Sequence, residues 1–205
     1  MSDCDCHVQI KNRAETPVLW IALALNAAMA VIGLVTGLLA DSTGLLADAL
    51  DMLTDAGSYA IGLAAIGRSG LFKARAASLT GMLVLLLGIG LLVEVGRRAI
   101  YGSEPVSVWM IATALLSLAV NVTVLKLLHP FRDGEVHLRA TWICTRADVV
   151  ANFGVILAGV LVAMTATPHP DLIIGTLIGL YVIKEALEIL SDAREARTQA
   201  TQISD

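Results

Sequence analysis

Long apolar runs separated by short polar stretches set the pattern of this chain. Six runs stand out, at roughly 18–40, 44–67, 78–100, 106–128, 143–165 and 171–190, each near the ~20 residues a helix needs to cross a bilayer. Pro17, Pro105 and Pro170 precede the first, fourth and sixth runs, where proline suits a helix start. Polar linkers separate the runs, among them RSGLFKARAAS after the second and LHPFRDGEVHLR after the fourth. The pattern predicts an all-α membrane protein whose six transmembrane helices fill residues 17–191. A polar tail over 1–16 precedes them, and a short tail over 192–205 follows that is too small to be a second domain.

Composition agrees with that pattern. Hydrophobic residues make up 57% of the chain and charged residues 16%, against about 45–50% and 25% in soluble domains. A net charge of −4 supplies no basic surface, so no nucleic-acid partner is expected. The three cysteines, Cys4, Cys6 and Cys144, are an odd number and argue against a disulfide framework. The first apolar run is too long for the core of a cleavable signal peptide. Lysine and arginine then orient the helices. With the N-terminus inside, eleven of them (Lys11, Arg13, Arg68, Lys73, Arg75, Lys126, Arg132, Arg139, Arg146, Arg194 and Arg197) face the cytoplasm, and only Arg97 and Arg98 face outward. That bias predicts cytoplasmic N- and C-termini.

Charged groups inside the bilayer cost about 2.5–3.5 kcal/mol each on insertion scales, so they need a function. The second run carries Asp48, Asp51 and Asp55, whose spacings of three and four put them on one helical stripe. Carboxylates so placed repel one another in low dielectric, and a proton or a divalent ion relieves the repulsion. Asp48 can serve as a further ligand, or it can lie nearer the interface and bond locally. The fifth run presents Cys144, Asp148 and Asn152 at steps of four. Asn152 is either an additional ligand or, as we favour, a group that hydrogen-bonds between helices.

Set side by side, the two helices offer Asp51, Asp55, Cys144 and Asp148. Four ligands that include a thiolate suit Zn²⁺ or Cd²⁺ and not Mg²⁺. Binding displaces protons from the ligands, which couples metal to H⁺ as counter-ion. No permanently bound cofactor is expected. No enzyme is expected either, because two aspartates one turn apart on one helix do not form a protease dyad.

Other polar groups read more simply. Asn26 and Asn121 suit hydrogen bonds between helices, and Glu94 suits an interfacial ion pair with Arg97 and Arg98. Lys184, Glu185 and Glu188 read as a solvated or snorkelling helix end. Cys4, Cys6 and His7 form a short cluster of soft ligands that could capture metal ahead of the pore; a C-x-C-H run is also short enough to arise by chance.

The stretch DSTGLLADALDMLTDAGSYAIGLAAI resembles the second transmembrane helix of the cation diffusion facilitator family, with its S-x-x-L-L-x-D-x-x-(H/D)-x-x-x-D pattern. WICTRADVVANFGVILAG resembles that family's fifth helix, (H/D)-x-x-x-D-x-x-x-N. GLLVEVGRRAI, Asn121 and PDLIIGTLIGLYVIKEALEIL fit the same family, so the likeness runs over about residues 18–192. The resemblance implies a homodimer in the bilayer that alternates between inward- and outward-open states and exports divalent metal ions from the cytoplasm in exchange for protons. It implies the same four ligands, and a bacterial inner (plasma) membrane location.

Cys144 stands where the family usually has His or Asp, which favours softer ions. RSGLFKARAAS lacks the His and Asp residues that make a second zinc site in some members. The chain is expected to be a short form lacking the family's C-terminal cytoplasmic domain, leaving its transmembrane helices to join the dimer. A second function of different class also fits, a non-transporting accessory subunit or sensor that binds metal in the membrane. An exporter restores growth of metal-sensitive cells alone, whereas an accessory protein does not.

Overall fold

The computed structural model describes residues 16–64, 70–129 and 136–202. They form six helices and no strand: α1 Thr16–Leu39, α2 Thr43–Ala64, α3 Gly70–Tyr101, α4 Ser107–Leu128, α5 Val136–Thr165 and α6 His169–Gln202. Four stretches are long and apolar enough to cross a membrane by themselves: Thr16–Leu39, Ala74–Tyr101, Ser107–Leu128 and Thr145–Thr165. The other two helices, α2 and α6, carry the acidic residues. Their placement explains how a bilayer tolerates them. α2 is the central helix, touching all five others, and most of its residues are buried. Its aspartates therefore face protein and not lipid.

Several helices run past their apolar segments. α3 starts at Gly70, well before position 78, α5 starts at Val136 and not near 143, and α6 continues to Gln202. Hydropathy reports the thickness of the hydrocarbon slab, whereas the backbone ladder continues through any good helix former. The DAREARTQATQ segment is rich in Ala, Arg, Glu and Gln, so the tail expected after 191 is largely a continuation of α6. At 34 residues, α6 is about 50 Å long, well beyond a ~30 Å hydrocarbon core.

α1, α2, α4 and α5 form one group, and α3 pairs with α6 against it through α2 and α5. The core is apolar, with Leu45, Leu50, Val84, Met110, Val155 and Val182 among its members. Leu79, Leu86 and Val93 on α3 and Phe153 and Met164 on α5 are exposed on the outer faces, as a lipid-facing surface requires. Small residues set the closest approaches. A Cβ on Gly33 of α1 would lie 2.9 Å from the Cβ of Ala49 on α2, and one on Gly175 of α6 would lie 2.9 Å from the backbone carbonyl carbon of Thr43.

Two turns meet at one end of the bundle. The Val106 amide donates to the Ala40 carbonyl at 2.9 Å, which ties the α3–α4 connection to the α1–α2 turn. In that turn Asp41 takes a left-handed conformation, φ 51°, which aspartate tolerates better than most residues. Its carboxylate accepts from the Glu104 amide at 2.9 Å and pairs with Arg98 at 3.1 Å. Arg98 is buried and also binds Glu94, which holds Arg97 as well. The ion pair expected of Glu94 is therefore present, and it reaches further than its own helix.

Candidate metal site

The placement of α2 is decided at its N-terminus. A helix start leaves several backbone N–H groups without partners, and here α6 supplies the acceptor. Asp171, fully buried in the first turn of α6, accepts from the Thr43 amide at 2.7 Å and the Gly44 amide at 3.0 Å. It also accepts from the hydroxyls of Ser42 at 2.6 Å and Thr43 at 2.9 Å, while Ser42 Oγ accepts from the Leu45 amide at 3.1 Å. One carboxylate thus lies in the first turn of α6 and caps α2 across 128 residues of sequence. Sequence reasoning gave Asp171 no role; an acid beside a proline at a helix start was the available signal.

Down the α2 stripe the three aspartates have different surroundings. Asp48 is buried and both its oxygens are occupied: Oδ2 accepts from Ser117 at 2.6 Å and Oδ1 from the Asn152 amide at 2.5 Å. Asn152 in turn accepts from Asn121 at 3.1 Å. Asp51 is buried one turn further along, and Asp55 is only partly buried. Both lie against Asp148 of α5. Asp148 is itself buried, and its Oδ2 has no hydrogen-bond partner.

Cys144 sits one turn before Asp148 on α5; its side chain is outside the described ones, as are Cys4, Cys6 and His7. Among the described side chains no three His, Cys, Asp or Glu groups stand ready-spaced around one ion.

Two expectations are corrected here. Glu185 is not part of a solvated helix end. It is half-buried on α6, is partnered by Tyr181, and faces Asp51, Asp55 and Asp148. Lys184, one residue earlier and about 100° around the helix, points elsewhere and pairs with Glu188 at 2.8 Å. Asn26 donates to the Ala22 carbonyl of its own helix at 2.9 Å and not to another helix. Asn121 does bond between helices.

These positions bring buried carboxylates from two helices together, with a third helix adding Glu185, inside a bundle with apolar outer faces. The model of the cation efflux transmembrane domain matches residues 19–196 of this chain. The chain belongs to the cation efflux, or cation diffusion facilitator, family. Curated proteins give no match. As a cation efflux protein it is a membrane transporter of metal cations, and the family is one of transporters and not of enzymes. The matched region takes in all six helices, including α2 and α6, which are too polar to be recognised as spans by composition alone.

Proposed function

We propose that this cation efflux protein exports Zn²⁺ or Cd²⁺ from the cytoplasm in exchange for protons, holding the ion with Asp51, Asp55, Cys144 and Asp148. The observation that carries the reading is the buried, unpartnered Oδ2 of Asp148 beside the two α2 carboxylates. A buried acceptor without a donor is costly, and a carboxylate facing two others needs a cation or protons to offset their repulsion. A divalent ion draws such groups inward, and protons compete for the same oxygens, which is the chemical basis of exchange. The thiol one turn away biases the set toward soft borderline ions. Asp55, the least buried of the three α2 aspartates, lies nearest the end of α2 that the charge bias places in the cytoplasm, so the ion enters from there. A homodimer joined through transmembrane helices in a bacterial inner membrane is the assembly that the family resemblance supports.

Uptake of Zn²⁺ and Cd²⁺ into inside-out vesicles with an acidic lumen tests the proposal. Wild type should show flux that depends on the proton gradient, Asp55→Ala should abolish it, and Cys144→His should shift preference from Cd²⁺ toward Zn²⁺. Folded wild-type protein that binds metal but carries none would refute export and support the accessory role.

A further inference from the structure

The four side chains Asp48, Ser117, Asn121 and Asn152 are each at most 2% exposed, and they join α2, α4 and α5 in one chain of hydrogen bonds. Asn121 donates to Asn152, Asn152 donates to Asp48, and Ser117 donates to the other oxygen of Asp48. The Asp48 carboxylate is the common acceptor at which this chain ends. Each of its oxygens already accepts a hydrogen bond, in contrast to Oδ2 of Asp148, which accepts none.

The register that follows bears on the transport site. α2 and α5 run antiparallel, so pairing residue 48 with residue 152 places 148 at the level of 52, between Asp51 and Asp55. It places 144 at the level of 56. A slip of α5 by one turn would move Asp148 by about 5.4 Å along the axis, more than twice a ~2.0–2.3 Å metal–ligand bond. Apolar contacts between helices do not distinguish such registers sharply, because a Leu or Val stripe packs at either setting. A buried directional hydrogen bond does.

We propose that Asp48 is a positioning residue, whose bond to Asn152 fixes α5 against α2 and so holds Asp148 opposite Asp51 and Asp55. The inference rests on those residues being the transport site. Asp48 acts through its geometry as an acceptor, so its negative charge is dispensable. Asparagine at this position keeps one oxygen for Asn152 and offers its own N–H to Ser117 Oγ. The serine hydroxyl is then free to donate to the carbonyl one turn earlier. A ligand or a proton carrier, by contrast, needs the carboxylate.

The test is equilibrium Cd²⁺ binding to the purified full chain, with Cd²⁺ flux in proteoliposomes, for Asp48→Asn, Asp48→Ala, Ser117→Ala and Asp51→Asn. Asp48→Asn should stay within about threefold of wild type in both measurements, and Asp48→Ala should lose about tenfold or more in each. Ser117→Ala, which removes one donor and no ligand, should lose several-fold. If Asp48→Ala does not fold, Asp48→Asn and Ser117→Ala decide the matter. Asp48→Asn falling tenfold or more would overturn the positioning role, since the charge itself would then be required. Wild-type behaviour of Asp48→Ala or of Ser117→Ala would overturn it too. Asp51→Asn separates the underlying reading: undiminished Cd²⁺ binding there would remove Asp51 from the site, whatever Asp48 does.

Discussion

Replacing Asp171 with alanine should cost this bundle about 3 kcal/mol. The carboxylate accepts from the Thr43 and Gly44 amides at 2.7 and 3.0 Å and from the Ser42 and Thr43 hydroxyls at 2.6 and 2.9 Å. Alanine removes the acceptor of all four bonds at a site where Asp171, Ser42 and Thr43 are each fully buried. The hydroxyls can rotate toward other acceptors, but the two amides cannot. A buried N–H without an acceptor costs about 1–3 kcal/mol, so two of them cost about 2–6. Loss of a negative charge at the α2 N-terminus adds to this, by up to about 2 kcal/mol in partly buried geometries. Water reaching the bundle end offsets part of the loss, and the lower half of the range follows.

Asp171→Asn keeps one acceptor oxygen and should lose about half as much. The assay is SDS titration of purified protein in mixed micelles, followed by tryptophan fluorescence and checked by thermal melting. A 3 kcal/mol loss in a chain of this length corresponds to about 6–12 °C in Tm. An Asp171→Ala protein that unfolds at the wild-type SDS concentration would show that the cap is not what holds α2 to α6.

Gly175→Ala tests the same contact from the other side, because the new Cβ would lie 2.6 Å from Thr43 Oγ1 and 2.9 Å from a Thr43 backbone atom. Overpacking of this kind should lower stability by about 1–3 kcal/mol in the SDS titration, and an unchanged midpoint would mean that α6 can move away freely. Glu185→Gln removes a negative charge that faces Asp51, Asp55 and Asp148. Cd²⁺ affinity should fall by about tenfold at low salt while the fold is retained; affinity equal to wild type would place Glu185 too far from the ion to matter.

The apolar runs made six helices legible, because a span is a local property of about 20 successive residues. The helix ends were less legible. The α3, α5 and α6 segments beyond the apolar runs are polar but helix-forming, and hydropathy does not register them. The stripe of Asp48, Asp51 and Asp55 could be read directly, since steps of three and four share a face on any α-helix. Within that stripe the sequence left Asp48 with two readings, a further ligand or a group that bonds locally, and offered no way to choose between them. What sets it apart is that Ser117 and Asn152 lie across from Asp48 and nothing donates to Oδ2 of Asp148.

Periodicity and hydropathy thus determined by themselves that this is an all-α membrane protein with acidic groups on the second and fifth helices. Both are read from neighbours along the chain. The tertiary structure decided what depends on partners far apart in sequence. It turned Glu185 from a presumed solvated end into a half-buried group beside the candidate site, and it kept Asn26 bonded to its own helix. It also gave Asp171 a role that no local pattern announces, because the amides it caps belong to a helix 128 residues earlier. A buried carboxylate takes its meaning from the groups that surround it, and packing is what selects them.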